Sequence, residues 1–264
     1  MSSPKILDFK CALITGGAGG LGYAMAEYFI SLGKKVIIVG RTEEKLKEAS
    51  PKLKNAPYYP LDTGKVSELK PIVEKITKEH PELDCLINNA GVQRPLDVVN
   101  MDLEKADNEI DINIRGPVHL ATLLLPHLSK QKVGVIINVS SVLGFIPYSV
   151  INPVYNGTKS FIHSWSVVQR KQISLAYPNM RVVEIVPPSV GTDLHREREN
   201  PDDNKKHLGA SSSLTIEEFM DDVSKGFEND QNEIGAGPAH AAIADWHEKF
   251  GSKFDKATAE FKRK

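Results

Sequence analysis

Apolar, β-branched runs alternate with amphipathic stretches from the start of the chain to about residue 190. The apolar runs read as strands at Cys11–Thr15, Val36–Val39, Tyr58–Leu61, Leu83–Asn88, Val133–Val139 and Arg181–Val186. Between them, apolar residues recur at helical spacing over about 20–32, 43–49, 65–79, 102–129 and 153–177. The strands are continuously apolar rather than alternating, so both faces of the sheet must be covered, which predicts parallel strands with helices on each side. Right-handed crossovers then predict a doubly wound sheet in the order 3-2-1-4-5-6, with a short seventh strand near Glu233–Gly235. No repeat or linker breaks the pattern, so the 264 residues read as one α/β domain. Regularity fails only over 193–213, which is polar and charged. That stretch follows the carboxyl end of the sixth strand, where such sheets bind ligands, and is a candidate substrate lid. Its low hydrophobicity predicts poor order without substrate.

Composition narrows the class. With 41% hydrophobic and 25% charged residues and a net charge of −1, the chain resembles ordinary globular proteins and gives no support to nucleic-acid or anionic-membrane binding. Cys11 and Cys85 both fall in strand runs, which suits a reducing compartment and predicts neither a disulfide nor a metal site. His119, His127 and His163 lie on predicted helices without metal-ligand partners at suitable spacing. There is no signal-type apolar segment and no apolar stretch near about 18 residues, so a cytoplasmic location is expected.

Two motifs carry chemistry. The first predicted strand runs into Thr15-Gly16-Gly17-Ala18-Gly19-Gly20-Leu21-Gly22 and then a helix. Glycines are needed where a chain turns sharply, where backbone approaches phosphate and where helix packs on strand. The opening helix offers unpaired N–H groups and the positive end of its dipole to a pyrophosphate. Further on, Tyr155 and Lys159 stand four apart and share a helical face. A free tyrosine, with a pKa of about 10, is a poor base at neutral pH, and a neighbouring ammonium favours its phenolate. Trp165, Phe161 and Val168 on the same helix read as a packed face, and Leu143, Phe145, Tyr148, Val150 and Ile151 as apolar pocket walls. Arg94, after the fourth strand, and His195 and Arg196, on the 193–213 stretch, read either as surface cations, the favoured reading, or as contacts to an anionic substrate.

The spacing Gly-x-x-x-Gly-x-Gly, with Asn88-Asn89-Ala90-Gly91 after the fourth strand and the Tyr155/Lys159 pair, resembles the short-chain dehydrogenase/reductase family over residues 8 to about 192. Pro187-Pro188-Ser189-Val190-Gly191-Thr192 is similar to the family's nicotinamide-backing segment, with Pro188 where glycine is usual. That segment is similar to a subgroup resembling the D-alanine-incorporation-operon oxidoreductases. The resemblance implies a Rossmann fold of about seven strands, Tyr155 as acid/base, Lys159 as its electrostatic tuner and a ribose ligand, and Ser141 as holder of the substrate oxygen. It implies Asn113 as anchor of a proton relay and Asp62 as acceptor from the adenine amino group. Thr15, Gly16, Gly20, Leu21, Gly22, Asn89, Ala90, Gly91, Pro187, Val190 and Thr192 fall at its cofactor-binding positions. Ser141 precedes Tyr155 by fourteen residues where thirteen is usual, which points to one extra residue in 145–153.

The family's NAD-preferring members usually place an acid at the end of the second strand. Here that end reads Gly40-Arg41-Thr42, and Arg41 can pair with a 2′-phosphate while Thr42 adds a hydroxyl, so NADP(H) is expected over NAD(H). The expected function is an NADP(H)-dependent carbonyl reductase or alcohol dehydrogenase for a small organic substrate. Its competitors are a non-catalytic NADP(H)-binding regulator and an epimerase or dehydratase on the same fold. The resemblance also implies a homodimer or homotetramer built on the helices at 102–129 and 153–177.

Overall fold

Strands β1 (Cys11–Thr15), β2 (Lys35–Gly40), β3 (Tyr58–Pro60), β4 (Cys85–Asn88), β5 (Gly134–Val139), β6 (Met180–Val186) and β7 (Glu233–Gly235) form one sheet in the order 3-2-1-4-5-6-7. Every pairing is parallel. These elements belong to a computed structural model that describes residues 4–206 and 213–262. Alternation along the strands explains their continuous apolarity. Ile14, Ile38, Ile87 and Ile137 enter one core with Phe29, Phe219 and Phe227, while their neighbours Leu13, Ile37, Leu86 and Ile136 enter a second core with Leu69, Leu124 and Ile173.

Helices α1 (Gly20–Ser31), α2 (Glu43–Lys52), α3 (Val66–Glu79) and α6 (Pro153–Ala176) follow the predicted pattern. The helix expected over 102–129 is instead α4 (Leu103–Ile110) and α5 (Gly116–Leu128), joined by one wide turn over Asp111–Arg115. In that turn the Gly116 N–H reaches back five residues to the Asp111 carbonyl. Pro117 has no N–H to close on the Asn113 carbonyl four residues earlier, which favours the widening there. Gly116 is also where a Cβ would come within 2.7 Å of the Thr63 carbonyl oxygen, so the turn lies against the loop after β3.

The helices beyond residue 213 extend the sequence expectation: α7 (Ile216–Glu228), α8 (Ala239–Trp246) and α9 (Ser252–Thr258). A reciprocal cap starts α7: Thr215 Oγ1 accepts the Glu218 N–H at 3.1 Å, and a Glu218 carboxylate oxygen accepts the Thr215 N–H at 2.9 Å. Phe219, Val223 and Phe227 then recur four apart and are fully buried. The Phe227 ring lies 5.4 Å from that of Phe29, so α7 completes the core on the α1 side of the sheet. Phe161 and Val168 differ from their expected packing: they are exposed on the outer side of α6, away from Ile162 and Ser166, which are buried. Trp165 stacks on Phe161 there. Among the described residues, no helix is long and apolar enough to cross a membrane.

Phe227→Ala removes an aromatic ring from the core contacts to Phe29 and Tyr28. Truncations of this kind cost about 3–5 kcal/mol, to be read as a lower denaturant midpoint with an unchanged slope. A loss under about 1 kcal/mol would mean that α7 adds little to the core.

Candidate active site

The carboxyl ends of the central strands open into a cleft of about 1280 Å³. An ordinary small-molecule pocket holds about 300–1,000 Å³, so there is room for an extended ligand beside a substrate. At one end lies the glycine turn. Gly16 and Gly20 have φ of +65° and +52°, where a Cβ is strained. A Cβ on Gly22 would stand 2.4 Å from the Gly16 carbonyl oxygen and 2.5 Å from Asn89 Nδ2, so only glycine lets α1 close on the turn. Asn89 Nδ2 donates to the Thr15 carbonyl at 2.9 Å, and Thr15 Oγ1 accepts the N–H groups of Asn89 and Ala90 at 2.9 Å each. Thr15 and Gly22 therefore shape the turn from behind, while Gly16, Gly20 and Leu21 line the cleft with Asn89, Ala90 and Gly91. No side chain caps α1, which leaves its first N–H groups for an anion. This cradle fits a pyrophosphate.

Arg41 and Thr42 line the outer end of the cleft after β2. Thr42 begins α2 without a side-chain capping bond. Asp62 is absent from the lining; its Oδ1 accepts the Gly64 N–H at 3.0 Å and shapes its own turn. Across the cleft, Pro187, Val190 and Thr192 line the segment after β6. Gly191 donates to the Leu214 carbonyl and Leu214 to the Ser189 carbonyl, both at 2.9 Å, and these bonds fix the path of the loop that contains Pro188.

Tyr155 and Lys159 meet the cleft from α6, both buried, with Lys159 Nζ 5.5 Å from the phenol ring centroid. Ser141, two residues beyond the end of β5, lines the cleft with Tyr155. Ser141 Oγ accepts the Leu143 N–H at 3.2 Å. Ser140 points the other way and donates to Glu184 at 2.5 Å, so strand alternation separates the two serines and gives Ser141 to the cleft. Burial, joined by the nearby Glu109 carboxylate, pushes the Tyr155 phenol up; Ser141 and Arg198 pull it down. Burial draws Lys159 down to about 8, against the carboxylates of Glu109 and Glu184. Lys159 donates to the Val139 carbonyl at 2.8 Å. Within the chain, desolvation thus outweighs the expected influence of Lys159 on the phenol.

Asn113 sits in the wide turn between α4 and α5, one layer behind the cleft. Its Nδ2 donates to the Val92 carbonyl at 2.9 Å and to Thr158 Oγ1 at 3.1 Å, and its Oδ1 accepts the Val92 N–H at 2.9 Å. It ties the segment after β4 to the helix of Tyr155. A Cβ on Gly91 would lie 3.3 Å from Asn113 Oδ1 and 3.9 Å from Lys159 Nζ, so glycine keeps these two groups close.

The described part of the 193–213 stretch is held by polar contacts, in contrast to the looseness expected of it; positions 207–212 fall outside the described residues. Asn204 Nδ2 donates to the carbonyls of Val190 and Thr192 at 2.8 and 3.2 Å. Arg198 donates to Gln93, Asn152 and both oxygens of Asp203. Arg94 is buried behind the cleft with both Glu197 oxygens 3.1 Å from its Nε, so it faces the loop and not the pocket. His195 and Arg196 do line the cleft, and burial draws His195 down to about 4, leaving it neutral at pH 7. Leu143, Tyr148, Val150 and Ile151 supply the expected apolar wall; Phe145 leaves it to pack against His163, with ring centroids 4.0 Å apart and the rings tilted by 39°.

Sequence reading missed Gln93 and Arg198 on the cleft wall, Glu109 behind it, and the buried pairing of Glu184 with His163 at 3.1 Å. A lone carboxylate inside the apolar run of β6 was the available sign for Glu184. Among the described residues, no cluster of His, Cys, Asp or Glu is placed to hold a metal.

The chain belongs to the short chain dehydrogenase family, whose model matches residues 10–203. It is 36% identical to the uncharacterized oxidoreductase DltE of Bacillus subtilis (strain 168) over 240 residues, which is 90% of this chain and 94% of that protein. Two solved structures share the fold. A short-chain dehydrogenase from Sphingobium yanoikuyae in complex with NADPH matches with a TM-score of 0.80 and 22% identity, over 97% of each chain. A short-chain dehydrogenase/reductase from Burkholderia phymatum in complex with NAD matches with a TM-score of 0.80 and 18% identity, over 98% of each chain.

Gly22→Ala places a methyl group against backbone and the Asn89 amide, neither of which can yield without opening the turn. We expect it to weaken NADPH binding, measured by cofactor fluorescence titration, by more than tenfold, about 1.4 kcal/mol. Parental affinity in a folded variant would show that the turn is not a phosphate cradle.

Proposed function

We propose that this chain is an NADP(H)-dependent oxidoreductase that moves a hydride between nicotinamide and a carbonyl or alcohol carbon of a small organic molecule. The observation that carries the reading is the meeting of Tyr155, Ser141 and Lys159 in the cleft that also contains the glycine cradle. The nicotinamide ring, when bound, supplies or accepts the hydride. The chain's own residues manage the oxygen. Ser141 donates a hydrogen bond to the carbonyl oxygen, and Tyr155 delivers the proton as negative charge develops there. In the reverse direction Tyr155 takes that proton. Lys159 holds positive charge beside the phenol and offers Nζ to the nicotinamide ribose. Asn113 braces the helix that keeps Lys159 in reach and is the residue taken to anchor a proton relay. A cofactor-binding regulator would have no use for a buried tyrosine set beside a lysine and a serine in the cleft, which favours the enzyme over that alternative.

The preference for NADP(H) rests on Arg41 and Thr42. Arg41 lines the cleft with Lys45 and Lys52 where β2 ends without an acid, and among the described residues its side chain has no hydrogen-bond or ion-pair partner. Its guanidinium is therefore available to a 2′-phosphate. Exposed Phe161, Val168 and Leu175 on α6 support a homodimer or homotetramer.

Tyr155→Phe removes the hydroxyl while the ring still fills its site. The expected outcome is a loss of roughly 10²–10⁴ in kcat with NADPH affinity nearly unchanged, measured on a panel of ketones, aldehydes and quinones. A variant retaining half the parental rate would overturn the role given to Tyr155.

One charge-assisted contact contributes about 1.5–3 kcal/mol, so kcat/KM should favour NADPH over NADH by about ten- to a hundredfold. Arg41→Asp should reverse that preference, by removing the phosphate partner and adding repulsion. Equal kcat/KM for both cofactors in the parent protein would refute the assignment.

A further inference from the structure

Glu109 lies on α4 with 0% exposure, and among the described residues neither of its carboxylate oxygens makes a hydrogen bond of normal geometry, although the nearby Arg94 backbone N–H favours the charged form. A carboxylate in such a place costs several kcal/mol unless a proton or a cation compensates it, and an orphaned buried acid calls for a reason. Its position supplies one. Glu109 stands one helical turn before Asn113, and α4 packs on α6, the helix that bears Tyr155 and Lys159. The charged and titratable groups facing it are Arg94 from the segment after β4, Tyr155 and Lys159 from α6, and Glu197 from the loop after β6.

Arg94 is the natural partner for Glu109, yet it is engaged elsewhere. Its Nε donates to both oxygens of Glu197 at 3.1 Å, its Nη2 to Asn108 Oδ1 at 3.0 Å, and its Nη1 to the Lys105 carbonyl at 3.5 Å. One buried guanidinium thus stands between two carboxylates and bonds only the one on the loop.

We infer that Glu109 is a proton-exchanging residue that sets the acidity of Tyr155, and that Glu197, by holding Arg94, keeps Glu109 in its uncharged form. The inference rests on the reading of Tyr155 as the acid/base. When Glu109 is ionised its charge opposes the phenolate and raises the Tyr155 phenol; when it takes a proton from water that opposition ends. Burial pushes Glu109 up to about 7, against the pull of Arg94 and Lys159, so the exchange falls near neutral pH. Were Arg94 free of Glu197, it would turn to Glu109, stabilise the carboxylate and make Tyr155 a weaker acid. Glu109 touches neither cofactor nor substrate in this scheme and acts only through Tyr155 and Lys159.

Two measurements on the full chain test this, one of them independent of turnover. Infrared titration of the parent protein should show a protonated-carboxyl band that is lost as pH rises through about 7 and that is missing from Glu109→Gln. In Glu197→Gln the same band should be lost at lower pH, because Arg94 is released to Glu109. The second measurement is the pH dependence of kcat for NADP⁺-linked oxidation of whichever panel alcohol turns over fastest. Glu109→Gln should move the Tyr155 limb to lower pH by on the order of one unit, and adding Glu197→Gln to it should cause no further shift. Absence of the band in the parent overturns the inference whatever the activity. A profile in Glu109→Gln that keeps the parental shape and changes only in height also overturns it, since that is the mark of a merely structural residue. The band with no turnover on any alcohol would instead locate the failure in the oxidoreductase reading and sever Glu109 from catalysis.

Discussion

The approach of α1 to the turn after β1 is the constraint on which the rest of the cleft depends. With no side chain at Gly22, the helix comes close enough for its first N–H groups to open onto the cleft. The same closeness brings Asn89 against the turn, where its amide bonds the Thr15 carbonyl and its backbone N–H bonds the Thr15 hydroxyl. The ends of β1 and β4 are thereby locked together, and the segment 89–94 leaves β4 in a fixed direction. That segment carries Val92 to Asn113, Gln93 to Arg198 and Arg94 to Glu197. The glycine turn and the back wall of the cleft are in this way joined as one unit.

Burial, more than any single charge, governs the electrostatics at the centre of that unit. Tyr155 and Lys159 are both desolvated, which weakens the phenol as an acid and the amine as a base, so both neutral forms gain. In a dry site each nearby charge acts at low dielectric and has a large effect. Glu109, Glu184 and Arg198 can therefore matter to the phenol or the amine without lying in contact with a substrate. The positive charge of an oxidised nicotinamide would act under the same conditions.

Much of the architecture was legible in the chain because it rests on local rules. Strands buried on both faces must be apolar throughout, and the glycine turn and the Tyr155/Lys159 spacing follow from backbone geometry and helical periodicity. The wide turn at Asp111–Arg115 was hidden within an unbroken apolar pattern, although Pro117 carried the sign of it. The Thr-x-x-Glu spacing of Thr215 and Glu218, which caps α7, also went unread. What could not be read is the long-range polar pairing. Arg94 and Glu197 are 103 positions apart, Gln93 and Arg198 are 105 apart, and no periodicity links such residues. For the same reason the 193–213 stretch read as loosely ordered: the order of its described part comes from hydrogen bonds and ion pairs, which leave no mark in a hydrophobic pattern.

The two serines at the end of β5 show how one local rule and one distant pairing combine into a site. Pleating sends adjacent residues to opposite sides, so Ser140 and Ser141 cannot both face the cleft. Parity alone does not say which one does. That choice is made by Glu184 on β6, which is fully buried and needs donors; Ser140 supplies one and His163 lies against the other side. Turning Ser140 outward would strip a buried carboxylate of a hydrogen bond, at about 1–3 kcal/mol or more for a charged group. Ser141 is thus committed to the cleft by a residue that does not line it. Because His163 stands one turn beyond Lys159 on α6, the same pairing also fixes that helix against β6, and with it the height at which the phenol enters the site.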